Sequence, residues 1–295
     1  MRAALSLTSR IKLNDGNSIP IFGLGLYRAE ASTVTTNIVA KATELGYRLF
    51  DTAELYKNEQ QTGDGLKAAQ VKPSREEIFI STKVFTTEGG RHHFLQTFEQ
   101  SLKKLQVDYI DLYFIHSPQG GHVLEVYDAM LELQKTGKIK SVGVSNFGVK
   151  HLEWLINAGR PLPVVNQIEL HPWWPNEDIV DYCRKKNIAI MAYSPLAKAR
   201  VLNDTFVQNL AKKYHKTPAQ ILLRWSIQNG FITIPKTSNT ERLKENMDIF
   251  DFALESDDMK ALLEYGKMHA ANTGWDPTTN SEVKFGPMDR IHTEM

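Results

Sequence analysis

The sequence predicts an α/β fold of the (β/α)8 TIM-barrel class, and three observations carry the prediction. Eight short apolar runs recur along the chain, at 22–26, 47–52, 78–83, 109–116, 141–146, 164–169, 188–194 and 231–235. Several are continuous rather than alternating, as in Tyr109-Ile110-Asp111-Leu112-Tyr113-Phe114-Ile115, which suits parallel strands buried on both faces. Each run is followed by a longer segment of helical pattern, and eight such units in 295 residues suit a barrel of this class. A doubly wound sheet would carry fewer strands and a Gly-rich first turn.

The elements follow in order. Asn14-Asp15-Gly16, between arms that carry Ile11, Leu13 and Ile19, predicts an N-terminal β-hairpin over 11–20. Residues 96–105 place Phe98, Leu102 and Leu105 on one helical face, and 122–133 does the same with Val126, Met130 and Leu133. Residues 178–186 read as a helix with Cys183 half-buried. Thr217-Pro218 is a helix start, an N-cap with proline at the first helical position, and Ile221, Leu222 and Trp225 follow. No low-complexity segment, charge block or Pro/Gly/Ser linker divides the chain, so residues 1–295 are expected to form one domain.

Composition narrows the function. Lys plus Arg number 35 against 34 Asp plus Glu, a net charge of +1, and phosphate neutralisation needs a clustered basic excess, so no nucleic acid is expected as partner. The one cysteine, Cys183, can form neither an internal disulfide nor a Cys-based zinc site. No apolar run approaches the length of a bilayer span, and Met1 to Arg10 is too short and polar for a signal peptide. A soluble, cytoplasmic protein with no membrane partner is the expectation.

Reactive side chains fall at the strand ends. In a (β/α)8 barrel the chemistry sits at the C-terminal ends of the strands. Asp51 and Lys83 end the second and third, His116 the fourth, Ser145 and Asn146 the fifth, Gln167 the sixth, and Tyr193 and Ser194 the seventh. Lys236 follows the eighth, and Tyr56 lies in the loop after Asp51. A lysine near a tyrosine should depress the phenol from its free value of about 10. A carboxylate beside that lysine would hold it charged, and a tyrosine so tuned can act as general acid. Adjacent His92 and His93 point to different sides of a helix, so no metal is expected.

At this point the motifs resemble those of the aldo-keto reductase family. The matching stretches are Gly46-Tyr47-Arg48-Leu49-Phe50-Asp51-Thr52-Ala53-Glu54-Leu55-Tyr56-Lys57-Asn58-Glu59 and Asp111-Leu112-Tyr113-Phe114-Ile115-His116. Gly143-Val144-Ser145-Asn146-Phe147, Asn166-Gln167-Ile168-Glu169-Leu170-His171-Pro172, Ala192-Tyr193-Ser194-Pro195-Leu196 and Ile234-Pro235-Lys236-Thr237 complete them. The resemblance implies a monomeric, NADPH-dependent reductase of a small-molecule carbonyl substrate. It makes Tyr56 the proton donor, Lys83 and Asp51 its tuning pair, and His116 the substrate-orienting group. Ser145, Asn146 and Gln167 would hold the nicotinamide carboxamide, Tyr193 would stack on its ring, and Ser194 and Leu196 would line the pyrophosphate. Lys236, Thr237, Ser238, Arg242, Glu245 and Asn246 would surround the adenosine 2′-phosphate and adenine. Tyr27, Phe85, His116 and Trp275 would contact substrate, the last from a C-terminal tail, 271–295, folded over the barrel mouth.

The chain departs from the family pattern in places. Leu26 stands where many members carry Thr or Ser, and Ser117 where many carry Trp. Ala197-Lys198-Ala199-Arg200 replaces a Gly-bearing turn. The alternative function is a catalytically idle, NADPH-binding barrel acting as a sensor or structural protein. The complete set Asp51, Tyr56, Lys83 and His116 favours the enzyme, since an idle scaffold has no need of all four.

Overall fold

The computed structural model describes residues 5–279. Strands β1 (Arg10–Lys12) and β2 (Ser18–Pro20) pair antiparallel with Ile11 opposite Ile19, the hairpin expected from Asn14-Asp15-Gly16. Eight parallel strands follow in one sheet: β3 (Leu24–Gly25), β4 (Leu49–Asp51), β5 (Phe79–Val84), β6 (Ile110–Ile115), β7 (Ile139–Ser145), β8 (Val165–Glu169), β9 (Ala189–Tyr193) and β10 (Ile232–Thr233). Each pairs with the next in chain order. Parallel bridges from Phe22 to Thr233 and from Gly25 to Lys236 join the first strand to the last, so the sheet closes. β3 and β10 are shorter than their apolar runs because this seam is made by isolated bridges rather than a continuous ladder.

The helices are α1 (Thr33–Glu44), α2 (Glu59–Ala68), α3 (Gly90–Leu105), α4 (Val123–Lys135), α5 (Val149–Asn157), α6 (Glu177–Lys185), α7 (Thr205–Tyr214), α8 (Pro218–Gln228), α9 (Thr240–Met247) and α10 (Ser256–Met268). α3 begins at Gly90 rather than Gln96, because its buried stripe extends back through Phe94, past the polar pair His92-His93, to Gly90. α8 starts as its sequence predicts: Thr217 Oγ1 accepts from the Gln220 N–H while Gln220 Oε1 accepts from the Thr217 N–H. Cys183 is fully buried rather than half-buried, on the inner face of α6, and burial pushes its thiol up to about 12.

Side chains alternate along a strand, so every second residue faces the barrel interior. Leu49, Phe79, Leu112, Phe114, Val165, Met191 and Ile232 form an interior cluster with Leu13 and Ile19 of the hairpin. Most of these lie toward the strand starts, so the hairpin plugs that end. The same inner rows continue upward to Asp51, to Ser81 and Lys83, to His116, to Gln167 and Glu169, and to Tyr193. Each row is apolar below and polar above, which is what gathers the reactive groups at one mouth. The outer face packs on the helices. Among the described residues, no helix is long and apolar enough to cross a membrane.

The seam depends on Gly25, where an added Cβ would lie 2.7 Å from the Ile234 carbonyl oxygen. Gly25→Ala is expected to lower the unfolding free energy by about 1–3 kcal/mol, the scale of overpacking a filled site. Urea denaturation checks this, and an unchanged midpoint would show that the seam has slack.

Candidate active site

At the bottom of the strand-end cup lies a buried ion pair. Lys83 is 0% exposed and Asp51 2%. Lys83 Nζ donates to Asp51 Oδ1 at 2.9 Å, Asp51 Oδ2 at 2.8 Å and the Thr52 carbonyl at 2.8 Å. All three ammonium protons are therefore matched. Asp51 Oδ1 also accepts from Ser81 Oγ at 2.7 Å and from Gln167 Nε2 at 2.9 Å. Burial pulls the Lys83 ammonium below its ordinary range, and Asp51 opposes that pull.

Tyr56 ends a 3-10 turn, Glu54–Tyr56, that the left-handed Lys57 (φ 60°) terminates. Glu54 Oε2 accepts from the Phe85 N–H at 3.0 Å, which ties this turn to the end of β5. The Tyr56 ring lies 5.0 Å from Lys83 Nζ, 5.1 Å from the Tyr27 ring and 5.6 Å from the His116 ring. Its hydroxyl makes no hydrogen bond to another described residue. The expectation that Lys83 depresses this phenol is corrected here: burial pushes Tyr56 well above its ordinary value, and the Asp51 carboxylate adds to the rise. Lys83 is spent on its own carboxylate, so desolvation wins. The same burial, with the Lys83 cation nearby, pulls His116 down to about 3. His116 is thus a neutral imidazole, and its Nδ1 is buried without a hydrogen-bond partner.

Around this core the strand-end polar groups hold one another. Ser145 Oγ donates to the Gln167 carbonyl at 2.8 Å, Asn146 Nδ2 to the His116 carbonyl at 2.9 Å, and Tyr193 Oη to Asn146 Oδ1 at 2.9 Å. Ser194 (φ 48°) and half-buried Leu196 begin the loop after β9. Beyond β10, Lys236 Nζ donates to Ser238 Oγ at 2.8 Å, while buried Thr237 accepts from the Asn239 N–H at 3.0 Å. Arg242 is exposed on the first turn of α9, with no carboxylate partner among the described residues. Glu245 accepts from Thr217 Oγ1 at 2.6 Å, and Asn246 is buried. Among the described residues Tyr27, Phe85 and Trp275 are the exposed aromatics, and Phe85 stands 6.0 Å from the His116 ring.

Sequence reasoning missed Ser81, Glu54 and Glu169. Ser81 and Glu169 were within reach, since they lie two residues from Lys83 and Gln167 on the same inner rows. Among the described residues no group of three His, Cys, Asp or Glu side chains is placed to hold a metal ion. Of the expected tail, residues 280–295 lie outside the described residues.

A closed barrel with a buried Lys–Asp pair, a tyrosine and a neutral histidine at its strand ends belongs to the barrel proteins whose chemistry sits at that mouth. The model of the Aldo/keto reductase family matches residues 23–206 and 202–266, and the chain belongs to that family. It is 42% identical over 254 residues to a glyoxal reductase of Bacillus subtilis (strain 168), covering 86% of this chain and 91% of that protein. It is 44% identical over 263 residues to methylglyoxal reductase DkgA of Escherichia coli (strain K12), covering 87% and 94%. The crystal structure of a Bombyx mori aldo-keto reductase in complex with NADP matches with a TM-score of 0.83 at 36% identity, covering 89% of this chain and 94% of that one.

His116 ties stability to pH. Its folded value of about 3 lies below the unfolded value of about 6.5, so the unfolded chain binds more protons between the two. Its contribution is complete above the unfolded value and is lost as pH falls toward the folded one. His116→Asn should flatten the slope of unfolding free energy between pH 6 and 4 by about 1.4 kcal/mol per pH unit. Denaturant melts across that range check it, and parallel slopes would show that His116 takes up its proton while folded.

Proposed function

We propose that the protein is an NADPH-dependent carbonyl reductase, a single-domain monomer that reduces small aldehydes and ketones, α-dicarbonyls of the glyoxal type among them, to alcohols. The observation that carries this reading is the juxtaposition of an unbonded Tyr56 hydroxyl, a neutral His116 and the buried Lys83–Asp51 pair at one mouth. The names of the relatives support the substrate class, and small, buried Ser117 beside His116 adds no aromatic wall.

The donor set fits the cofactor. Ser145, Asn146 and Gln167 bring hydroxyl and amide groups to two adjacent strand ends, suited to a carboxamide, with Tyr193 beside them. Among the described residues Lys236 and Arg242 are cations without carboxylate partners, close to the first turn of α9, while the nearby Glu241 is neutralised by Lys244 at 3.1 Å. That is the chemistry a ribose phosphate needs. We assign Ser194 and Leu196 to the pyrophosphate, and Thr237, Ser238, Glu245 and Asn246 to the surroundings of the phosphate and adenine. The chemistry NADPH supplies when bound is a hydride equivalent for the carbonyl carbon.

The residues of this chain do the rest. Tyr27, Phe85 and Trp275 enclose the carbonyl compound, and neutral His116 orients its oxygen. Tyr56, with its phenol raised, keeps its proton until negative charge grows on that oxygen. An alkoxide is a stronger base than phenolate, so the proton then moves to it without a depressed phenol. The phenolate left behind lies near the Lys83 cation in a desolvated site, where their attraction is strongest.

Loss of NADPH absorbance with methylglyoxal and with a reactive aromatic aldehyde tests the reading; NADPH binding without consumption of any carbonyl would favour an idle, sensing barrel. Tyr56→Phe should cut turnover about 100-fold or more with NADPH affinity retained, and Lys83→Met should act in the same direction. Normal turnover in the phenylalanine variant would remove Tyr56 from the role. Arg242→Ala should weaken NADPH binding by roughly 2 kcal/mol and leave NADH nearly untouched. Titration of both cofactors checks it, and equal losses would make Arg242 a fold residue.

A further inference from the structure

The end of β8 carries a buried carboxylate that the reduction just described does not use. Glu169 is 4% exposed, and its neighbour His171 1%. Glu169 Oε1 accepts from the Thr273 backbone N–H at 2.8 Å and Oε2 from Thr273 Oγ1 at 2.8 Å. His171 Nε2 lies 2.8 Å from Oε1 on the other side. Thr273 belongs to the tail after α10, more than a hundred residues along the chain, and is itself only 7% exposed.

The same short segment is tied down along its length, Arg200 donating to the Asn272 carbonyl at 3.3 Å. The Ala271 N–H donates to the Trp173 carbonyl at 3.0 Å. Lys198 Nζ donates to the Thr273 carbonyl at 3.0 Å, from a turn in which Ala197, Lys198 and Ala199 all have positive φ. At the far end, the Thr278 carbonyl presses against the space a Cβ on Gly148 would fill, so the tail passes directly over the residues after β7. Residues 271–278 therefore cross the mouth between β8 and β7. Trp275, 48% exposed, sits midway along that crossing.

We propose that Glu169 is a positioning residue for substrate choice: by gripping Thr273 through backbone and side chain, it sets where Trp275 stands and hence how large a carbonyl compound the mouth admits. The proposal rests on the reductase reading for its substrate arm. A carboxylate is suited to the grip, because it accepts two hydrogen bonds on two oxygens, and charge-assisted bonds are roughly twice as strong as neutral ones. A glutamine in its place would turn an amide donor toward a Thr273 donor.

The test uses the full chain with Glu169→Gln and with Thr273→Val, which removes one hydrogen bond at constant volume. Each is compared with its partner that also carries Trp275→Phe, so that the Trp275 component of acrylamide quenching is isolated. Both variants should raise that component about twofold as the tail loosens. The ratio of kcat/KM for a bulky aryl aldehyde to that for methylglyoxal should change about fivefold, through KM, with kcat for methylglyoxal kept. If the glutamine variant fails to fold, the valine variant carries the test. Unchanged quenching and an unchanged ratio would overturn the proposal, as would an equal fall in kcat for both substrates, the mark of a purely structural role. The quenching needs neither cofactor nor turnover, so it stands apart from the reductase reading.

Discussion

An ammonium group with no solvent exposure must find an acceptor for every proton, because an unpaired charge in a protein interior costs many times what a neutral polar group does. Lys83 meets this demand with Asp51 and the Thr52 carbonyl, and Asp51 meets its own with Ser81 and Gln167. These groups come from β4, β5 and, across the barrel, β8. The pair therefore has its full set of partners only when the closed sheet has its proper stagger. Its place below Tyr56 and His116 makes the arrangement of the mouth a consequence of how a buried cation is satisfied.

Burial acts on the other two titrating groups in opposite directions with one result. It raises the Tyr56 phenol and lowers the His116 imidazole, so both rest neutral. Around Tyr56 the site holds the Lys83–Asp51 ion pair and two uncharged proton carriers. Charge that appears during a reaction then meets a fixed cation and little competing solvent, the condition under which electrostatic stabilisation is strongest.

Much of this was legible in the sequence. Continuous apolar runs announced strands buried on both faces, and polar residues at their ends announced the mouth. Thr217-Pro218 marked a helix start that the structure reproduces in detail. What stayed hidden has physical causes. The start of α3 was masked because glycines and paired histidines precede its first buried phenylalanine. The direction of the Tyr56 shift was misjudged because a list of neighbours does not say which of them is already neutralised. Gln167 on Asp51, and Thr273 on Glu169, are contacts between residues far apart in the chain, and local pattern carries no trace of such pairings.

The seam between the first and last barrel strands has a consequence for how the molecule comes into being. Residues 22–25 pair with residues 233–236, so β3 has no partner on one edge until most of the polypeptide exists. Closing so long a loop carries an entropic penalty that nearby contacts do not share, and topologies dominated by distant pairings fold slowly. During synthesis an open sheet with a bare edge must wait on the ribosome for β10 to emerge, which is the interval in which such edges recruit the wrong strands. Asp51 and Lys83 sit on adjoining strands, but Gln167 reaches Asp51 from across the barrel, so the half-made barrel carries the buried pair without that partner.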